Sequence, residues 1–385
     1  MNKKKKIAIV CGHFIPNLGY IEVFLAKKTA ANGSEVKVFT TNEIPGYVKD
    51  IAVLDNENQH FSVVRLPAYF SMGQMVLSRD LIPEIKQFNP DTIIVIGVGK
   101  LFPKDVFNAF PGKEIITLFG DNVHNYNVKS GGKILRIKQY VLNKIKNPVY
   151  RKAIKKSHKL IGYTPETGEL LNLRFPDLAD EIQRKYTFVS LGFDDEIYFY
   201  DSAIRQKERA RLGLQNDEIS GITVTRFHPN KQIEKIIDFV ELLQKYQPVK
   251  YILTGASNDE YSRKIAKIIK QKHLEDTIFV LPFENDKHKI NALYNAADFG
   301  IWTQPAISIV EAKGTGLPVF LPEEKSMEHL VKNKTGLFYP RLDDTFAQES
   351  IHFLNQTDRE EVARKNQEFN YNRIVQQIVN ENDKI

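Results

Sequence analysis

The chain runs through the same alternation twice. Short β-branched segments, "IAIVC" (7–11), "VKVFT" (36–40), "SVVRL" (62–66), "TIIVI" (92–96), "IITLF" (115–119) and "LIGYT" (160–164), are separated by longer stretches, several of them amphipathic. An Asp-rich aromatic string, "GFDDEIYFYD" (192–201), interrupts the rhythm. It restarts with "GITVT" (221–225), "VKYILTG" (249–255), "TIFVL" (277–281), "DFGIW" (298–302) and "PVFL" (318–321). Strands that are apolar throughout, joined by helical crossovers, mark parallel sheets covered on both faces. The expected fold is therefore α/β, with two doubly wound Rossmann-like domains facing each other across a cleft. Their expected bounds are 1–195 and 196–357, with a linker near 192–201 and a helical segment, 358–385, packing back on the first domain. The length of 385 residues agrees, since it exceeds what one core usually supports. Ligands of such sheets sit beyond the strands' C-terminal ends, so the cleft is the expected substrate site.

Charge separates the two halves. Residues 1–195 hold 28 Lys and Arg against 19 Asp and Glu, and residues 196–385 hold 26 against 28. Between Asp121 and Glu166 no acid occurs, whereas Lys129, Lys133, Arg136, Lys138, Lys144, Lys146, Arg151, Lys152, Lys155, Lys156 and Lys159 all do. Ile134, Ile137, Val141 and Ile145 recur through this run at helical spacing, and Pro148 is expected to divide it from a second basic turn. Two readings stand side by side. One is a basic amphipathic helix lying on an anionic membrane through residues 129–159; the other is a helix docked on its own domain with a solvated basic face. No nucleic-acid partner is expected. The apolar runs are far shorter than the ~20 residues that span a bilayer. The basic start fails as a secretory signal, and the single cysteine, Cys11, fits a reducing compartment. A cytoplasmic location follows, peripheral on the inner membrane face if the basic helix docks there.

Three segments carry chemistry. In "CGHFIPNLGYIEVFLA" the N–H groups around Gly19 and Tyr20 can approach a sugar or phosphate, although an ordinary strand-to-helix turn would look the same. No Gly-Lys-Ser/Thr follows it, and "GVGKLF" (97–102) lacks the third glycine of a dinucleotide fingerprint, so kinase and dehydrogenase readings lose ground. In "TVTRFHPNKQIEKII", Arg226 ends a strand and Lys231 opens a helix, where two cations can clamp a diphosphate; as an isolated pair they would read as surface charges. In "WTQPAISIVEAKGTGLPVF" a strand tail, a loop and a helix start place Glu311 behind Pro305.

In their order and spacing these segments, together with "IPNLGYIEVFLAKKTAANGSEVKVFT", resemble the retaining glycosyltransferases of family 4, which have the GT-B fold. The resemblance implies a nucleotide-diphosphate sugar donor of UDP or GDP type, no required metal or cofactor, and transfer with retention to a glycan or lipid-linked acceptor in bacterial surface polysaccharide synthesis. It implies that Arg226 and Lys231 hold the diphosphate, with Gly255 in the same nucleotide-binding set. Glu311 matches the second Glu of the family's E-x7-E motif and takes the ribose hydroxyls. The Ile307 and Ser308 N–H groups take phosphate. The first Glu of that motif is Thr303 here, with Gln304 beside it, and both are expected to touch only the sugar. Asp121 and His124, after the fifth strand, stand where the family faces its acceptor, and either can also be a loop cap. A non-catalytic scaffold of the same fold, an epimerase and a phosphorylase are the competing readings; a phosphorylase would need a lysine-anchored cofactor motif, which is lacking.

Overall fold

The computed structural model describes residues 4–16, 19–43, 60–120, 133–215 and 218–379, the side chains of 133–139 excepted. The chain divides into two compact units, residues 1–190 with 374–385, and residues 191–373.

The first unit is built on β1 (Lys6–Cys11), β2 (Glu35–Thr41), β3 (Ser62–Leu66), β6 (Thr92–Ile96), β7 (Glu114–Phe119), β8 (Lys159–Gly162) and β9 (Tyr186–Phe188), in the parallel order β3-β2-β1-β6-β7-β8-β9. A separate hairpin pairs β4 (Phe70–Met72) with β5 (Met75–Leu77). The second unit orders β10 (Ile219–Val224), β11 (Val249–Ala256), β12 (Ile278–Pro282), β13 (Phe299–Ile301), β14 (Val319–Pro322) and β15 (Gly336–Tyr339) as β12-β11-β10-β13-β14-β15. Ile7 to Val10 and Ile93 to Val95 have no exposed surface, which is why these strands read as unbroken apolar runs. In each sheet the winding reverses beside the first strand: β1 lies between β2 and β6, and β10 between β11 and β13.

Four expectations change. The hairpin, β9 and β15 were not anticipated, being only three or four residues long. β15 depends on Gly336, where a Cβ would come 2.1 Å from the Val319 carbonyl oxygen.

The string 192–201 is not a linker. Phe193, Asp194 and Tyr198 are buried in the second unit, and Phe193 packs so closely on Gly314 that a Cβ there would meet its ring at 2.7 Å.

The terminal segment is also divided. Residues 358–373 stay with the second unit, and only residue 374 onward joins the first. Just before the division, the Asn370 side chain donates to Asp195 (2.8 Å), as does that of Asn372 (3.1 Å), while Phe193 bonds the main chain of Phe369 and Tyr371. Beyond it Ile374, Val375 and Ile378 are buried, and Lys159 donates to the Gln377 carbonyl. This lysine of the basic run is thus occupied within the fold.

Pro148 divides nothing, because one helix runs from Lys133 to Lys156 through it. The following stretch buries Val149, Tyr150 and Ile154, worth on the order of 2 kcal/mol each, with Ala153 between them, and together they offset the ~3 kcal/mol cost of an internal proline.

Lys313 is fully buried among neutral partners, donating to Asn366 Oδ1 (2.7 Å) and Thr335 Oγ1 (3.2 Å), with Phe369's ring centroid 4.7 Å away. Burial lowers its ammonium to about 7, against an opposing pull from Glu368. The folded value lies below the unfolded one, near 10.5, so the associated stability is complete above the unfolded value and is lost as pH falls toward 7. The melting temperature should therefore drop between pH 9 and pH 6.5, and Lys313→Met should flatten that drop. Parallel curves for the two proteins would count against it.

Candidate functional site

The second sheet fixes where its ligands bind. Its winding reverses between β10 and β13, and the crevice beyond those two strands is where an open parallel sheet holds a ligand. Arg226 lies two residues past β10 and is exposed. Lys231 closes the 3₁₀ turn Pro229–Lys231, just before the helix Ile233–Leu243, and is half-buried. Between them the buried ring of Phe227 anchors the loop. Neither cation forms an ion pair with a described residue, and burial alone lowers the Lys231 ammonium. Two positive charges held on a pinned loop without a counter-ion among the described residues are arranged for an anion.

Gly255 shapes this loop from beneath. Its φ is +121°, and a Cβ there would fall 1.9 Å from the Thr225 carbonyl oxygen. Phe227 N–H donates to its carbonyl (3.1 Å), so β11 passes directly under the Arg226 segment. The residue belongs to the site by close approach of backbone.

The segment after β13 meets this loop through side-chain bonds. The Thr303 hydroxyl donates to the Lys231 carbonyl (2.7 Å), and the Ser308 hydroxyl donates to the Val224 carbonyl (2.7 Å). The indole N–H of buried Trp302 donates to Ser308 Oγ (2.9 Å), the Tyr294 hydroxyl to the Ser308 carbonyl (3.1 Å), and the Tyr339 hydroxyl to the Trp302 carbonyl (2.8 Å). The Ser308 side chain is therefore spent on the fold. Its N–H and that of Ile307 open the helix Ile307–Gly314, where the first N–H groups have no acceptor within the helix. Ala306 is the N-cap, and no side chain caps it. An anion there would meet both N–H groups and the positive end of the helix.

Glu311 lies in the second turn of this helix, not at its head as "behind Pro305" suggested. It is partly buried. Burial raises its carboxyl, while a hydrogen bond from the Tyr198 hydroxyl and the charge of Lys287 pull it back toward the anion. Tyr198 was missed because it belongs to the string read as a linker; its signal was the run of three aromatic residues, Tyr198, Phe199 and Tyr200, in a segment with no strand or helix pattern of its own. Gln304 is half-buried and hydrogen-bonds to no described residue.

In the first unit, Tyr20 is 46% exposed and caps the helix Ile21–Ala31 without a side-chain bond, so the N–H groups after Gly19 open that helix. Asp121 and His124 lie outside the described residues. Among the described residues no group of three or more His, Cys, Asp or Glu is placed to hold a metal ion, and no helix is long and apolar enough to cross a membrane.

The sequence profile of the glycosyl transferases group 1 family matches residues 204–369, which carry every one of these second-unit site residues except Tyr198. Residues 204–369 are thus similar to the glycosyl transferases group 1 family. Among curated proteins, alpha-monoglucosyldiacylglycerol synthase of Acholeplasma laidlawii is 23% identical over 169 residues, and the match spans 42% of each chain. The fold is found in HepE of Anabaena, solved in complex with UDP, at a TM-score of 0.70 and 19% identity over 97% of this chain and 98% of that one. It is also found in sucrose-phosphate synthase of Thermosynechococcus elongatus, at 0.62 and 17% over 98% and 95%. The α/β architecture of the two units is thus the GT-B fold.

Proposed function

We propose that the protein is a retaining glycosyltransferase that takes a sugar from a UDP- or GDP-type donor and transfers it to a glycan or lipid-linked acceptor, without a metal or other cofactor. The observation that carries this reading is the pair Arg226 and Lys231, cations without a described counter-ion, tied through Thr303 to the uncapped helix that bears Glu311. Such a site binds a diphosphate and strengthens its grip as negative charge develops on the leaving group. HepE of Anabaena, which shares the fold, has been solved with UDP, with UDP and glucose, and with UDP-glucose. The lipid acceptor named for the Acholeplasma relative is one of the acceptor classes this reading includes. A screen of UDP-, GDP-, ADP- and dTDP-sugars for donor hydrolysis tests it; turnover of none, with no nucleotide bound, would reject it.

The competing reading is a non-catalytic subunit of the same fold, and one observation favours it. Thr303 stands where the family carries a carboxylate, and its hydroxyl donates to the Lys231 main-chain carbonyl. A scaffold would tolerate changes at Glu311 and Lys231, whereas an enzyme would not.

The ribose contact gives a quantitative check. Glu311→Ala should weaken binding of the free nucleotide by about 1.5 to 3 kcal/mol, the range for hydrogen bonds to a charged group. The sequence assigned Thr303 to the sugar alone, but its bond to the clamp loop revises that expectation. Thr303→Val should now cost nucleotide affinity too, by about 0.5 to 1.5 kcal/mol, while Gln304→Ala should change only donor choice. Calorimetric titration of each variant with nucleotide separates the three, and a silent Glu311→Ala would move the ribose contact elsewhere.

The cytoplasmic, membrane-peripheral placement rests on the helix Lys133–Lys156. Its buried face is Val149, Tyr150, Ala153 and Ile154, while Tyr140, Val141 and Ile145 are exposed beside Lys144. Apolar residues that turn away from their own core among lysines suit an anionic lipid surface better than a solvated face. Reversing Lys144, Lys152, Lys155 and Lys156 to Glu should abolish binding to anionic vesicles, and salt should weaken the wild-type interaction. Equal binding to neutral and anionic vesicles would contradict this.

A further inference from the structure

The first sheet has its own reversal point, between β1 and β6, and the donor chemistry leaves the ground beside it unused. "GVGKLF", set aside above as an incomplete dinucleotide motif, follows β6 there and lines a cavity of about 420 Å³ that extends past the end of β7. Three cations line it, Lys100, Lys146 and Arg174, and among the described residues no carboxylate does. The hydroxyl-bearing rings of Tyr150 and Tyr163 and the amide of Asn143 complete its polar wall.

The cavity is built by close packing. A Cβ on Gly120 would fall 1.9 Å from the Tyr163 hydroxyl, and one on Gly99 would fall 3.1 Å from the Tyr150 hydroxyl and 3.8 Å from Lys146 Nζ. Gly97 takes φ +77° and Leu101 takes φ +65°, a left-handed conformation that costs a non-glycine residue on the order of 1 kcal/mol. Between them, Lys100 lays its stem against Gly97 and Gly12, at 3.3 Å from the Cβ either would carry. It is half-buried, and its ammonium makes no hydrogen bond or ion pair with a described residue. The carboxyl of Glu22 feels its charge, yet burial raises that carboxyl, so the compensation is partial. The Arg174 guanidinium is oriented by the Tyr150 ring, 4.2 Å away, and by Asn147 Oδ1, 2.8 Å away.

We propose that this cavity is an oxyanion subsite that receives a phosphate group carried by the acceptor. The assignment rests on the reading above, in which the first unit holds the acceptor. Three cations on separate elements, with the Lys100 ammonium uncommitted among the described residues, concentrate more positive charge than a single carboxylate balances, and they suit a multiply charged tetrahedral oxyanion. The volume leaves room beyond the phosphate for the group that bears it.

A crossed calorimetric experiment on the full chain tests the assignment. The probes are sn-glycerol 1-phosphate, dihexanoyl phosphatidic acid below its micellar concentration, and UDP. The variants are Lys100→Met with Lys146→Met, which keep the packing stems, and Arg226→Ala with Lys231→Ala; melting curves confirm that each pair folds. Both phosphate monoesters should lose about tenfold or more in affinity in the Lys100/Lys146 pair and keep wild-type affinity in the Arg226/Lys231 pair, with UDP showing the reverse. Tighter binding of the acylated probe assigns the phosphate to a lipid headgroup, and equal binding assigns it to a soluble acceptor. Monoester affinity unchanged in the Lys100/Lys146 pair, or lost in the Arg226/Lys231 pair, would overturn the subsite. Wild-type protein that binds the monoesters but not UDP would overturn the donor reading and leave the subsite standing.

Discussion

Replacing Arg226 or Lys231 with alanine is expected to lower sugar transfer by on the order of 10²-fold or more, with a smaller loss in donor affinity. The asymmetry follows from when the charges act. A diphosphate ester shares its charge with the sugar until the anomeric bond breaks, and the departing diphosphate then carries additional charge that only fixed donors can meet without reorganising. Lys231 is the better placed of the two to act in this way. Burial has already stripped part of its water, and its main chain is held by Thr303 on one side and by the turn from His228 on the other. Single-turnover rates at saturating donor isolate the chemical step. Rates at the wild-type level in both variants would remove the clamp from the mechanism.

The second large effect concerns a residue with no side chain. Gly255→Ala should destabilise the second unit by about 3 kcal/mol or more and abolish nucleotide binding, because its Cβ has no position to occupy. At φ +121° the backbone is already in a region that alanine avoids, and the Thr225 carbonyl oxygen lies 1.9 Å from where the methyl would be. Relief requires either β11 or the Arg226 loop to move, and the loop is the weaker element. Thermal unfolding and a UDP titration on the same preparation measure the two consequences. A variant that melts with wild type and still binds nucleotide would show that the loop adapts.

Much of this was legible because burial and sequence pattern share a cause. Parallel strands enclosed on both faces must be apolar along their whole length, so Ile93 to Val95 and Leu253 announced themselves, and their alternation with helices gave both sheets. Arg226 and Lys231 were legible as residue types at a strand end. What stayed hidden were partnerships set by tertiary packing. Nothing in "GFDDEIYFYD" says that Tyr198 reaches Glu311, and nothing local tells Thr303 to bond the Lys231 carbonyl instead of a sugar. Pro148 misled for the same reason: its local penalty is real, but the buried turn after it outweighs that penalty.

The return of the chain to the first unit after Arg373 has a practical corollary for dissection. The first unit is discontinuous in sequence, since Ile374, Val375 and Ile378 complete a core otherwise drawn from residues 1–190. A fragment ending at Ser190 would leave the apolar surface beneath those three side chains bare to water and invite self-association. The second unit, 191–373, is by contrast one uninterrupted stretch of chain. Any expression of the first unit alone should therefore carry the terminal helix on a tether, or supply it as a peptide in trans, and complementation between the two pieces becomes a direct way to titrate how tightly that helix is held.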